Sequence, residues 1–312
     1  MNPTVSIIIP AYNSEKYIHF TLKSVINQDY KDFEVWVIGD CCKDNTEAVV
    51  NSFNDPRINF YNLPKNFGTQ SGPNNEGLKR AKGKYIAYIN HDDLWLPWHL
   101  GKLVEYLESS GDDFVHANVL TITPTYIYIM GEPCEGLSYG NYMVCPSGWL
   151  HKKEVAHSIG NWRDHRVVSK HIDRDFMNRA YEAKFKISAS KEPSVLKFAA
   201  LHWSIYDKNK VIFPQEEYLQ KLLSDPVDTQ LNLLKWSANE YSKLISKNNF
   251  SILTLKEYIK LSLYQPFMRF FVRPLRNFYL MNLILVKIQL FFRKRRSKIT
   301  GEAQHKKFLI HD

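Results

Sequence analysis

Along the first third of the chain, short apolar β-branched runs alternate with stretches whose apolar residues recur every three or four positions. Residues 5–10, 33–38, 57–61, 84–90 and 112–117 read as strands, and 14–28, 44–53, 72–81 and 97–109 as helices. Asn13-Ser14 supplies an N-cap, and Pro97 a first-turn proline. Strands that are apolar throughout, rather than at alternate positions, predict an α/β fold whose parallel sheet is covered on both faces. Sheets of that kind bind ligands beyond the C-terminal ends of their strands.

After residue 118 the alternation stops. Residues 121–130 read as strand, followed by a Gly- and Pro-punctuated loop through Pro146. A short helix over 152–158, a longer one over 171–182, a strand over 195–198, and a polar helical region over 210–253 broken at Asp225-Pro226 complete the pattern. The expected organisation is an alternating α/β half (1–118), a less regular second half (119–210) and a helical C-terminal region (211–312).

Charge changes the picture at the C-terminus. The chain carries a net +9, yet residues 256–312 alone hold 13 Lys and Arg against three acidic residues, a net +10. The remainder is therefore close to neutral, which disfavours a catalytic body built to bind nucleic acid. Within the basic segment, residues 278–292 are almost wholly apolar and lead into Arg293-Lys294-Arg295-Arg296. As a helix that run spans about 22 Å, short of a bilayer core of roughly 30 Å. It is expected to lie on an anionic membrane surface rather than cross it; a packed core helix with a solvated tail is the alternative. The opening residues enter a strand-like run with no basic region or cleavage site, so no signal peptide is expected. Cys41, Cys42, Cys134 and Cys145 lack zinc-like spacing and read as free thiols of a reducing cytoplasm.

The candidate chemistry gathers at four strand ends: Pro10-Ala11-Tyr12-Asn13, Gly39-Asp40 with Asp44-Asn45-Thr46, Asn66-Phe67-Gly68 with Asn75-Glu76-Gly77, and Asp92-Asp93. Two adjacent carboxylates where an apolar strand leaves the sheet suit Mg²⁺ or Mn²⁺ bridging phosphate oxygens, although such a pair also serves as a helix cap.

In order and spacing these segments resemble the family 2 glycosyltransferases, which have the GT-A fold. Val5-Ser6-Ile7-Ile8-Ile9-Pro10-Ala11-Tyr12-Asn13 resembles the family's opening, and Gly39-Asp40-Cys41-Cys42-Lys43-Asp44-Asn45-Thr46 its V-D-D-G-S-T-D-x-T loop. The likeness continues through Ala81-Lys82-Gly83-Lys84-Tyr85-Ile86 to a metal motif at Asp92-Asp93, dense to about residue 118 and thinner to about 206. It implies an inverting, metal-dependent transfer from a nucleoside diphosphate-sugar. Pro10, Ala11, Tyr12, Asn66, Gly68 and Asn75 would line the nucleotide pocket, and Asp40 would accept a hydrogen bond from the base. That contact favours uracil or thymine, hence UDP- or dTDP-sugars, because their N3–H is a donor. Asp92 would hold the ribose side and Asp93 the Mg²⁺ or Mn²⁺, with His202 a further candidate metal ligand. The general base is sought among Asp164, Asp173 and Asp175, and the resemblance favours Asp173. Gly39 stands where the family carries aspartate, Cys41-Cys42 where it carries Gly-Ser, and Asn74 where it commonly carries arginine.

Other readings lack their signatures. No G-x-G-x-x-G follows the first strand, no G-x-x-x-x-G-K-[ST] occurs, and the Q-x-x-R-W of processive synthases is absent. A binding module that keeps the nucleotide fold without turnover is the remaining alternative. For an enzyme, the expected setting is the inner face of the plasma membrane, acting on a cell-surface glycan or lipid-linked oligosaccharide.

Overall fold

A computed structural model describes residues 2–131, 139, 144–168, 171–205, 207, 209–210 and 212–246. All described strands belong to the first compact unit, Met1–Ser242. Its opening follows the expected βα alternation: β1 (Val5–Ala11), α1 (Ile18–Ile26), β2 (Phe33–Gly39), α2 (Thr46–Asn51), β3 (Ile58–Asn62), α3 (Ser71–Arg80) and β4 (Tyr85–Tyr88). These four strands pair in parallel in the order β3-β2-β1-β4. Ala11, Gly39 and Asn62 are level in that register, so three of the predicted loops leave the sheet side by side.

The continuous apolar run of β1 is explained by packing on both faces. Ile7 and Ile9 join a core with Ile18, Leu22 and Val25 of α1, whereas Ile8 faces the opposite way, against Leu78 of α3 and Phe176. Each buried aliphatic side chain of this kind stabilises the fold by roughly 1.5–3 kcal/mol.

The second half departs from the prediction. After β5 (Leu94–Trp95) and α4 (His99–Ser110), β6 runs over Phe114–Ile122, five residues beyond the expected end at 117. The strand expected over 121–130 is instead a hairpin, in which β7 (Ile127–Met130) turns back along β6. Thr123 makes that turn, its hydroxyl bonding the Tyr126 carbonyl at 2.7 Å and accepting from the Tyr126 N–H at 3.0 Å. A 3₁₀ turn at Pro146–Gly148 leads into β8 (Trp149–Lys152), which inserts antiparallel between β4 and β6. α5 (Lys153–Ile159) and α6 (Ile172–Glu182) follow. β9 then spans Ile187–Phe198, far longer than the expected 195–198. Its register with β6 shifts near Pro193, where a missing N–H is tolerated only at such an irregularity. α7 (Ala200–Trp203), α8 (Pro214–Ser224) and α9 (Pro226–Ser246) close the described chain. The result is one mixed nine-stranded sheet flanked by helices. The boundary placed at 118 falls inside β6, so both halves share that sheet. Residues 256–312, with the apolar and basic tail, lie outside the described residues.

Candidate active site

The site is assembled at the C-terminal edge of β1, β2 and β4. Asp40, just past β2, is almost fully buried and organises the next loop rather than capping a helix. Its Oδ1 accepts from the Phe67 N–H at 2.7 Å, and its Oδ2 from the Gly68 N–H at 3.0 Å and the Asn66 amide at 3.1 Å. Gly68 holds φ at +76°, the left-handed turn that lets two successive N–H groups converge on one carboxylate. Asp40, Asn66 and Gly68, scattered in sequence, are thus one unit. A carboxylate offers roughly four acceptor positions, so three are used here and one is left.

Two departures from the family pattern find a physical reason here. A Cβ on Gly39 would sit 2.5 Å from Asn62 Oδ1 and 3.1 Å from Cys42 Sγ, so no side chain fits without moving that amide. Asn62 and Cys42 occupy the space as a clamp: the Cys42 N–H donates to Asn62 Oδ1 at 2.8 Å, and Asn62 Nδ2 to the Cys42 carbonyl at 3.0 Å. Burial pushes the Cys42 thiol up, so it stays protonated. Cys41, Cys42 and Cys145 are free thiols; Cys134 lies outside the described residues.

Around β1, Pro10 and Ala11 are buried and act through their carbonyls, which accept from His91 Nδ1 (2.7 Å) and the Asp40 N–H (2.7 Å). Tyr12 is 48% exposed, an aromatic face open at the strand end. Asn75 is spent on structure: both ends of its amide bond the Trp162 backbone, at 2.8 and 2.9 Å.

The paired aspartates separate clearly. Asp93 is 0% exposed and its carboxylate is enclosed by protein. Oδ1 accepts from the Phe198 N–H at 3.2 Å, and Oδ2 from the Ser147 hydroxyl at 2.5 Å, with the Lys197 ammonium 3.5 Å away. Burial, together with neighbouring Asp92, outweighs these donors and pushes Asp93 up to about 6. Asp92 is 4% exposed, and its carbonyl is tied to the Gln215 amide at 2.9 Å. His202, the other residue assigned to the metal, is exposed on α7 with its ring edge-on to Tyr126. Among the described residues no group of three or more His, Cys, Asp and Glu encloses a cation by itself. That leaves the mode in which one or two carboxylates share a hard cation with substrate phosphates.

The three candidate bases are also distinguished. Asp164 is gripped by Arg166, which holds its carboxyl well below the usual range. Asp175 pairs with Arg179 at 2.9 Å and Arg163 at 3.5 Å. Asp173, in the first turn of α6, makes no such ion pair among the described residues; it accepts from the Gln70 amide at 3.1 Å, and burial pushes its pKa up. Trp149 lies in the core, stacked with Trp162 and Phe176, and offers no face to a sugar. The sequence reading missed Gln70, Ser147 and Lys197. A lysine inside the apolar strand Val195-Leu196-Lys197-Phe198 was the visible signal for the last.

Comparison with known proteins agrees with this geometry. The family model described as "Glycosyl transferase family 2" matches residues 6–127. An uncharacterized glycosyltransferase of Rickettsia typhi is 40% identical over 158 residues, 51% of this chain and 46% of the relative. The E. coli UDP-Glc:alpha-D-GlcNAc-diphosphoundecaprenol beta-1,3-glucosyltransferase WfaP is 34% identical over 115 residues, 36% of this chain and 45% of that one. Each match thus spans less than half of the relative's length. The crystal structure of S. aureus TarS 1–349 in complex with UDP-GlcNAc superposes with a TM-score of 0.56 at 20% identity, covering 81% of this chain and 76% of that one. Residues 6–127 thus match a family 2 glycosyltransferase domain, and the fold is GT-A.

Proposed function

We propose that this chain transfers a sugar from a UDP- or dTDP-sugar to a hydroxyl of a lipid-linked or cell-surface glycan, with inversion and without processivity. The observation that carries the reading is Asp173: a carboxylate with no arginine ion pair among the described residues, made more basic by burial, and hydrogen-bonded to Gln70 at the start of α3. A general base must combine reach with a pKa raised toward the working pH. Asp173 takes the acceptor hydroxyl's proton as that oxygen attacks the anomeric carbon. The bond to the diphosphate oxygen breaks on the opposite face, and its electrons leave with the nucleotide. No enzyme nucleophile is needed. Asp40 supports a pyrimidine with an N3–H donor, and Tyr12 offers a face to the base.

The burial of Asp93 moves the proposed metal contact to its neighbour, Asp92. A Mg²⁺ or Mn²⁺ held there with the donor's phosphate oxygens would supply Lewis-acid stabilisation of the leaving diphosphate. Asp93 then serves by fixing the turn, bound to Ser147 and the β9 backbone.

For the acceptor, the name of the E. coli relative supplies the class: a sugar on a polyprenyl diphosphate. The basic segment 256–312 supports the same setting, since each Lys or Arg near an anionic surface contributes about 1 kcal/mol. None of the described helices is long and apolar enough to cross a membrane. Peripheral attachment at the cytoplasmic face is tested by sedimentation with anionic vesicles. The full chain should bind and release with salt, and a chain ending before residue 267 should stay in the supernatant.

The central test is a transfer assay over a panel of nucleotide-sugars and polyprenyl-diphosphate-linked acceptors, with and without Mn²⁺. UDP- or dTDP-sugar turnover lost in Asp173→Asn is the expected result. Tight nucleotide binding with no turnover of any donor would favour the binding module instead.

A further inference from the structure

Exposed rings gather where β7 turns back along β6 and where α7 follows β9. Tyr126 and Tyr128 are 39% and 41% exposed. Their ring centroids lie 6.0 Å apart with the planes inclined by 30°, so the two rings stand next to each other at a shallow angle. His202 of α7 adjoins them, its ring 6.2 Å from that of Tyr126 and nearly perpendicular to it. Strand register relates this patch to the metal-motif turn. Lys197 of β9, Thr121 of β6 and Tyr128 of β7 are level, and level residues on neighbouring strands point to the same face of a sheet. Two residues down the same strands, Val195, Val119 and Met130 all pack into the core that holds Trp95. The intervening row, Ile122, Ile127 and Phe198, points the other way, into the core shared with α8. Tyr128 therefore lies on the face on which the Lys197 ammonium approaches Asp93, at 3.5 Å. At about 4.8 Å per strand, the Tyr128 backbone is roughly 10 Å across the sheet from that of Lys197.

In the glycosyltransfer reading, on which this inference rests, an acceptor brings one hydroxyl to the donor at this turn, and the rest of it must lie against a surface alongside. A pyranose has an apolar face of C–H groups rimmed by hydroxyls, which suits an aromatic face with a polar tip. The patch has that character, with tyrosine hydroxyls and imidazole nitrogens at the edges of its rings. Its exposed aliphatic neighbour Ile129 is level with Leu120 and so lies on the opposite face, where it adds nothing that would favour a lipid chain over a sugar. We propose that Tyr126 and Tyr128 form a stacking subsite for the sugar of the acceptor.

The test reads acceptor and donor separately, in the full chain with Mn²⁺ present. The acceptors are GlcNAc, GalNAc, glucose and galactose carried on a diphosphate that ends either in a short alkyl chain or in undecaprenol. KM for acceptor and for donor is measured by transfer, and UDP affinity by calorimetry. Tyr126→Ala and Tyr128→Ala should each raise the acceptor KM about five- to tenfold, equally for both chain types, with donor KM and UDP affinity close to wild type. Tyr128→Phe keeps the aromatic face and should stay close to wild type. An unchanged acceptor KM in both alanine variants overturns the inference. A rise confined to the undecaprenol acceptors assigns the rings to lipid, and a parallel rise in donor KM marks a structural role; either result overturns it too. Wild type that binds UDP yet neither binds nor glycosylates any of these acceptors overturns the inference alone. Wild type that binds no UDP and turns over no donor overturns the glycosyltransfer reading and the inference with it. Should Tyr128→Ala not fold, Tyr128→Leu keeps the bulk without the aromatic face and is judged by the same two KM values.

Discussion

The side-chain amide of Gln70 donates a 3.1 Å hydrogen bond to the carboxylate of Asp173, joining residues 103 positions apart. Gln70 immediately precedes α3 and Asp173 lies in the first turn of α6, so the loop fixed by Asp40 is tied directly to the candidate base. Arg163 and Arg179 meanwhile take Asp175. The division of labour between two aspartates on one helical turn follows from those partners.

Asp173→Asn should lower transfer by about 10²–10⁴-fold while leaving UDP affinity nearly intact, because an amide keeps the shape but cannot take a proton. Asp175→Asn should retain substantial turnover and instead lower the melting temperature, since it frees a buried Arg179. Kinetics and thermal melts of the two variants check this; comparable loss of turnover in both would place the base elsewhere.

Asp92 and Asp93 should fail in different ways. Asp93→Ala strips partners from Ser147, Lys197 and the Phe198 N–H, and breaking such a buried arrangement costs about 3–5 kcal/mol. Asp92→Asn should lower the denaturation midpoint less than Asp93→Ala does and reduce the Mn²⁺-dependent part of UDP binding. Reversal of these two phenotypes would return the proposed metal contact to Asp93.

Restoring the family's aspartate at position 39 should harm this protein. The new Cβ meets Asn62 Oδ1 at 2.5 Å and must open the Asn62–Cys42 clamp, an overpacking cost of about 1–3 kcal/mol. Gly39→Asp should therefore melt earlier and bind UDP more weakly, and Gly39→Asp with Asn62→Gly should recover part of the loss. Denaturant titrations of the single and double variants measure the coupling.

Acid should destabilise the fold before most carboxylates titrate. His99 is buried against Ser194, His116 near Tyr139 and His151 beside Tyr88, and burial lowers them to about 3, 4 and 4. Unfolded histidine binds its proton near pH 6.5, so stability is present above that value and is lost as pH falls toward the folded-state values. At pH 5 this is about 2 kcal/mol for each histidine. Asp93 works in the opposite sense: with its pKa raised to about 6, its contribution falls as pH rises through 6. Lowering the pH from 7 to 5 returns only about 1 kcal/mol from that group, so the histidines dominate. Urea midpoints at pH 7 and pH 5 should show a clear loss at the lower pH; equal midpoints would mean that these rings are not neutral in the core.

Local pattern alone determined the βα order of the first half, the parallel pairing of its strands and the loops that carry the candidate chemistry. Apolar runs, helical periodicity and turn residues act within a few positions of one another, and a parallel crossover sheet places its loops on one edge. Contacts across the chain decided the rest. β8 inserts between β4 and β6, and β9 extends well before its apolar end, because their partners lie elsewhere in the sheet. Adjacent Asp92 and Asp93 have the same composition and the same local pattern. The carboxylate of Asp93 is held by Ser147 from 54 residues away and by Lys197 and Phe198 from about 104. Burial and charge are properties of neighbours in space, and at this turn those neighbours come from β9 and from the segment leading into β8.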